Sequence, residues 1–184
     1  MANFTKAAIM ESFLRLLNEK KFDKITIKDI VSDCGVSRKT FYYYFEDIYD
    51  ILEKYMADLT DESIKNIDNV QTFETELIKL IGFITDNKRA VYHIYNSVSR
   101  DKLEDYLYES SMPVIKAIIL KKLDNSTYSS DDIDIISKVC ANAFTGSILR
   151  LIKDGMPDNI EYMIKLISTI FDDAVNAIQN RSIN

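Results

Sequence analysis

The stretch from Thr26 to Phe45 reads Thr-Ile-Lys-Asp-Ile-Val-Ser-Asp-Cys-Gly-Val-Ser-Arg-Lys-Thr-Phe-Tyr-Tyr-Tyr-Phe, and its spacing suits two short helices around a tight turn. Ile27, Ile30, Val31 and Cys34 fall at i, i+3, i+4 and i+7, one apolar stripe of a helix that Thr26 can cap. Gly35 stands where the chain must reverse, a position that favours positive φ. Val36 anchors the turn, and Ser37 is a suitable N-cap for a second helix whose inward residues are Phe41 and Phe45. Arg38, Lys39, Thr40, Tyr42, Tyr43 and Tyr44 are then left mostly outward. Three successive tyrosines cannot share one buried face, because neighbours on a helix are about 100° apart. Hydroxyl-tipped rings among basic residues suit phosphates and thymine methyl groups, so the stretch predicts a helix-turn-helix with its recognition helix second.

The rest of the chain reads as all-α. Only 4 Gly and 2 Pro occur in 184 residues, so punctuation is sparse and long helices follow. The spacing predicts an amphipathic helix over 3–20, with Ile9, Phe13, Leu16 and Leu17 inward and Phe4 at its leading edge. A fourth helix, capped by Asp47, runs to about Lys65 on the stripe Ile48, Ile51, Leu52, Tyr55, Met56 and Leu59, and joins head to body without a flexible linker. A polar loop over 68–72, a helix from Phe73 to about Asp86, and a short helical segment over 91–98 come next. A helix over 101–123 should kink or break near Ser110–Met112, because Pro113 lacks a donor. A loop over 124–130 leads to a helix over 131–153 with Ile136, Cys140, Ala143, Phe144, Ser147, Ile148 and Leu151 on one face. Gly155 and Pro157 stop it, and Asp158 with Glu161 resembles a capping box for the last helix. That helix is apolar on more than one face and needs partners on two sides. The expected organisation is a DNA-binding head over 1–47 and an all-helical effector-binding and dimerisation body over 48–184.

The dimer face is predicted as a four-helix bundle using Ile136, Ala143, Ser147, Ile148 and Leu151 with Ile164, Ile167, Phe171, Ala174, Val175 and Ile178. Net charge is −6, yet residues 1–45 hold eight Lys/Arg against five Asp/Glu, and the remainder fifteen against twenty-four. A basic head on an acidic body fits DNA contact through the head alone. Cys34 and Cys140 make no pair motif and read as core thiols in a reducing, cytoplasmic setting. Nothing resembles a signal peptide or a membrane span, so no membrane partner is expected. No nucleophile elbow, glycine-rich phosphate loop or metal-spaced His/Cys cluster is present, so neither an enzyme nor a metal or cofactor site is expected. His93, the sole histidine, lacks companion ligands; Asp131-Asp-Ile-Asp134 reads as a favourable helix start.

The pattern Thr26-Ile-Lys-Asp-Ile30, Gly35-Val-Ser37 and Thr40-Phe-Tyr-Tyr-Tyr-Phe45 resembles the TetR family of bacterial transcriptional regulators. Asp47-Ile-Tyr-Asp-Ile-Leu52 and Gly146…Lys153-Asp-Gly-Met156 are similar to a Gram-positive branch that includes regulators of dihydroxyacetone kinase operons. The resemblance implies about nine helices, a homodimer, and a palindromic double-stranded DNA operator read by one recognition helix per half-site. It implies repression released by a small-molecule effector, with activation or a protein-adaptor role as alternatives. Carried over, Lys28 reaches a base or phosphate near the cap residues Thr26 and Ser37; Arg38, Lys39 and Thr40 enter the major groove; Tyr42, Tyr43 and Tyr44 meet phosphates and base edges. The lysine that opens the family's fourth helix is Ile48 here, which implies a substitute contact by Tyr49 or by free amides at that helix start. Tyr92, His93, Tyr95, Tyr106, Tyr108, Met112 and Phe144 are the candidates for an effector pocket, with ordinary core packing as the alternative for each.

Overall fold

A computed structural model describes residues 2–66, 73–123, 129–156 and 160–181. The described residues form nine α-helices and one 3-10 turn: α1 Ala2–Glu19, the 3-10 turn Phe22–Lys24, α2 Ile27–Cys34, α3 Arg38–Tyr44, α4 Ile48–Lys65, α5 Phe73–Asp86, α6 Lys88–Tyr95, α7 Arg100–Lys122, α8 Ser130–Lys153 and α9 Ile160–Arg181. No strand occurs among them. The expected loop over 68–72, most of the one over 124–130, and the Pro157 stop with its Asp158 cap lie outside the described residues.

Two compact units emerge: Met1–Asp58 with Asp86–Leu103, and Leu59–Thr85 with Glu104–Asn184. This differs from the expected division at residue 47. α6 belongs with the head, because it packs on α1, buries Ala90 and donates from His93 Nδ1 to the Leu17 carbonyl at 2.7 Å. The first turns of α4 stay there too, through fully buried Ile51 and nearly buried Leu52. The core of the first unit is the expected one: Ile9, Phe13 and Leu17 of α1 with Ile30, Phe41 and Phe45. Phe4, placed at the leading edge of that stripe, is instead exposed.

The helix expected to kink or break near Pro113 is not broken there: α7 runs from Arg100 to Lys122 with Pro113 inside it. Neighbouring backbone groups find other partners: Thr60 donates to the Ser110 carbonyl at 3.1 Å, and Ser110 and Ser111 donate to the carbonyls of Tyr106 and Tyr108. Burial of Ile115, Ile118 and Ile119 just beyond holds the second half in place.

Ser129 caps α8 by accepting from the Asp132 amide at 3.1 Å. α8 ends in a Schellman motif, with Gly155 at φ 90°, Gly155 N–H on Ile152 O and Met156 N–H on Leu151 O. Its buried residues are Ser137, Ala141, Thr145, Ile148, Leu149, Leu151 and Ile152; Ile148 and Leu151 are on the expected face, and the others turn the stripe away from it. Two small polar residues on that stripe explain the difference. Ser137 returns its hydroxyl to the Ile133 carbonyl at 2.6 Å and packs as a small apolar residue would.

On α9, Ile164, Ser168, Phe171 and Val175 are buried, and Phe73 of α5 stacks on Phe171 at 4.0 Å between ring centres. A second stripe of both helices is uncovered: Ile135, Val139, Ala143 and Gly146 on α8, and Tyr162, Leu166 and Ile170 on α9. α8 is long and apolar enough to cross a membrane by length and composition, with mean hydropathy 1.3 over eighteen residues.

Candidate nucleic-acid interface

The helix-turn-helix is built by local chemistry. Thr26 Oγ1 accepts from the Asp29 amide at 3.2 Å, while Asp29 Oδ2 accepts from the Thr26 amide at 2.8 Å, a reciprocal capping box. Thr26 also donates its hydroxyl to Asp29 at 2.7 Å, so its one O–H is engaged in setting the helix start. Gly35 takes φ 71°, and the Val36 amide reaches back to the Val31 carbonyl at 3.1 Å. Ser37 Oγ accepts from the Thr40 amide at 3.0 Å and shares a hydrogen bond with the Thr40 hydroxyl at 2.8 Å.

α3 has two turns and therefore two distinct faces. Phe41 and Phe45 point inward, with ring centres 5.8 Å apart. Lys39 and Tyr43, four residues apart, lie on the outward side, and Tyr43 is 78% exposed. Arg38 and Tyr42 are also exposed, and Lys28 is exposed on α2. Thr40 and Tyr44 are half-buried, so the outward set is narrower than the sequence implied. Tyr42 packs edge-on against buried Phe41 at 5.6 Å and Tyr43 against half-buried Tyr44 at 4.9 Å, so each exposed ring rests on a neighbouring ring.

At the start of α4 one helix amide and one amide of the preceding junction are taken by carboxylates. Asp47 Oδ1 accepts from the Asp50 amide at 2.9 Å, and Asp50 Oδ2 accepts from the Glu46 amide at 2.8 Å. The Asp47 and Asp50 carboxylates therefore lie at that helix start, and a phosphate there would meet like charge. Tyr49 packs edge-on against Phe22 at 4.9 Å, with the Lys102 ammonium 4.7 Å from its ring centre. The ring is thereby held between Phe22 and Lys102 while keeping an exposed edge.

Acidic residues bind α1 to α2 behind the interface. Asp29 pairs with Lys20 at 2.7 Å, and Asp33 accepts from buried Ser12 and from Arg15. The bond from Lys20, then those from Thr26, hold the Asp29 carboxyl at about 2 instead of the usual 3.8; Ser12 and then Arg15 lower Asp33. A carboxyl whose folded pKa is depressed stabilises the fold above its unfolded pKa, and that contribution is lost as pH falls through the folded one. Asp29→Asn is therefore expected to flatten the acid limb of thermal stability between about pH 4 and pH 2. Melting curves by circular dichroism test this; an acid limb identical to wild type would remove Asp29 from the role.

The effector candidates are divided between the units. Tyr92, His93 and Tyr95 are half-buried on α6 of the first, where His93 ties α6 to α1. Tyr106, Tyr108, Met112 and Phe144 are half-buried in the second. Phe144 lines a small apolar cleft of about 20 Å³, whose walls are Leu77, Ile81, Ile148, Leu151 and neighbouring residues of α5, α8 and α9. Among the described residues no three His, Cys, Asp or Glu side chains converge as metal ligands, and Asp134 is paired with Lys116. Of the residues expected at the dimer face, Ile148, Leu151, Ile164, Phe171 and Val175 are buried within their own subunit, because they close its core. Ile136, Ser147, Ile167 and Ala174 are half-buried, Ala143 is exposed, and the Ile178 side chain lies outside the described residues. The exposed residues Ile135, Val139, Tyr162, Leu166 and Ile170 were not among those expected. Their four-residue spacing was visible, but it competed with a second stripe on each helix.

A capped helix-turn-helix with a polar-aromatic outer face, followed by an all-helical body, defines a helix-turn-helix regulator. The family comparisons agree at both ends: residues 5–55 match the model for bacterial regulatory proteins of the tetR family, and residues 71–173 match a transcriptional regulator C-terminal region. The chain belongs to the TetR family. It is 39% identical over 64 residues to the HTH-type transcriptional regulator EthR of Mycolicibacterium smegmatis, a match covering 35% of this chain and 28% of that protein. It is 24% identical over 84 residues to the dhaKLM operon transcriptional activator DhaS of Lactococcus lactis, covering 46% of this chain and 45% of that protein. The matches thus span less than half the length of these curated relatives. Among solved structures, a dihydroxyacetone kinase operon activator DhaS superposes with TM-score 0.65 at 20% identity, over 97% of this chain and 96% of that one. A TetR regulator from Streptococcus agalactiae gives 0.62 at 20%, over 92% and 94%. At that identity the likeness speaks to the fold.

Proposed function

We propose that the protein binds a palindromic DNA operator as a homodimer, placing the outer face of α3 in the major groove of each half-site. The exposed quartet Arg38, Lys39, Tyr42 and Tyr43, mounted on a capped and buried-core helix, is the observation that carries this reading. Lys28 of α2 supplies a further cation beside it. Selection of bound duplexes from a randomised pool tests it: recovery of a palindrome is expected, and recovery of no preferred sequence would shift weight to a protein-adaptor role. Lys39→Ala is expected to weaken binding and to lower the slope of log affinity against log salt by about one per subunit. Gel shifts across several salt concentrations check it, and an unchanged slope would take Lys39 off the phosphates.

The dimer reading rests on the uncovered stripe of α8 and α9. Ile135 and Ile170 are 62% and 59% exposed, and such apolar rows on a soluble subunit mark a contact surface. Ala143 and Gly146 lie on the same row, with open space over Gly146 for the close approach of another helix. The two stripes also account for the apolarity of α8 without a membrane, since one faces its own core and the other a second subunit. A cytoplasmic regulator follows from this reading.

Repression released by a small apolar effector is the mechanism we favour, with the cleft among α5, α8 and α9 as its point of entry. Activation is the second reading, favoured by the likeness to the activator DhaS. A reporter gene placed behind the selected operator separates the two: deleting the regulator raises expression under repression and lowers it under activation.

A further inference from the structure

α3 is only seven residues long, too short to hold its own direction, and its last carbonyls have no partner within the helix. Phe41 and Phe45 give it a pivot in the core, but two rings on one face leave rotation about that pivot open. A single side chain from α4 closes it. Lys54 Nζ donates to the Tyr44 carbonyl at 2.8 Å, where positive charge also complements the helix C-terminus, and sits 5.4 Å from the Phe45 ring centre. The same ammonium pairs at 2.8 Å with Asp50 Oδ2, the atom that accepts from the Glu46 amide at 2.8 Å in the junction between α3 and α4. One ammonium and one carboxylate thus tie the end of α3, the junction and the first turns of α4 into a closed loop of hydrogen bonds.

We propose that Lys54 and Asp50 are positioning residues for operator readout: a brace that fixes the direction of α3, so that two side chains remote from its outward face set how sharply the protein discriminates its operator. The proposal rests on the reading of α3 as the recognition helix. Non-specific affinity depends on the number of cations near phosphates, whereas specific affinity also depends on placing Lys39 and Tyr43 against particular base edges. Loss of the brace therefore acts on the difference between the two.

Lys54→Met, Lys54→Arg and Asp50→Asn separate this from a charge effect. Each full-length variant is measured against the duplex that wild type selects from a randomised pool and against poly(dI-dC). Lys54→Met is expected to lower the ratio of specific to non-specific affinity about tenfold, the scale of one lost charge-assisted bond, and Lys54→Arg to restore most of it. Asp50→Asn is expected to lower the same ratio although it makes the head more positive. If Asp50→Asn instead tightens both kinds of binding equally, or if all variants keep the wild-type ratio, the brace is refuted. Amide exchange without DNA reads the brace directly: the Tyr44 and Phe45 amides should exchange at least several-fold faster in Lys54→Met, and unchanged exchange would refute it. If wild type selects no duplex, the functional reading fails while the exchange result still decides whether Lys54 holds α3.

Discussion

Val139→Glu is expected to give a well-folded monomer whose operator affinity is lower by about 10²–10⁴-fold, the factor by which linkage of two binding modules commonly exceeds a single one. Val139 is 58% exposed within the subunit, so a carboxylate there remains in water while the chain is alone. In a twofold dimer the same surface meets its own copy, so one substitution introduces two like charges into an apolar contact. Neither carboxylate has a partner, and burying unpaired charge is far more costly than an exposed valine is favourable. Sedimentation equilibrium at micromolar concentration reads the assembly, and thermal melting reads the fold. A melting profile that moves little, together with a halved mass, is the expected pair of results. Ile148→Glu is the control: that side chain is buried in the subunit and its loss should unfold the second unit instead. If Val139→Glu remains a dimer of wild-type stability, the uncovered stripe is not the interface.

The helix-turn-helix was legible in the sequence because its determinants are local. Thr26, Gly35 and Ser37 act on backbone groups within five residues of themselves, and their offsets along the chain are the offsets of the motif. The limits of α4 and α5 were legible for a similar reason: Asp47 caps the one, and each carries a single clear stripe. What escaped depends on partners distant in sequence. Pro113 predicts a kink or a break by the local rule, and burial of the following isoleucines rules out the break by carrying the helix through. The buried stripe of α8 includes Ser137 and Thr145, which a hydropathy pattern assigns to solvent, and so the core-facing side of α8 differs from the expected one. His93 had no sequence neighbour to explain it, since its partner is the Leu17 carbonyl, 76 residues away. Lys54 has no signal in the sequence pattern, since its contact with the Tyr44 carbonyl depends on how α4 folds back on α3.

Phe41→Ala is expected to cost about 3–5 kcal/mol, the usual range for truncating a buried phenylalanine, and to abolish operator binding. The side chain is fully buried and is the common neighbour of Phe45 below and Tyr42 beside it, so its removal leaves a cavity at the pivot of the recognition helix. Small domains have only about 5–15 kcal/mol of stability in all, so a loss of this size reaches a large part of what holds the first unit folded. Phe41→Leu keeps most of the volume and is expected to cost far less, on the order of 1–1.5 kcal/mol, with binding weakened and not lost. The two variants separate packing from contact, because Phe41 has no exposed surface with which to touch DNA. Denaturant melts give the stability difference, and gel shifts give the binding. The stripe proposed as the dimer contact lies in the other unit, on α8 and α9, so sedimentation of Phe41→Ala is expected to report the same mass as wild type. A variant that has lost operator binding but kept its mass would place the defect in the head. If Phe41→Ala instead bound the selected operator with wild-type affinity, α3 would not depend on its buried ring for direction, and the outward placement of Lys39 and Tyr43 could not carry recognition.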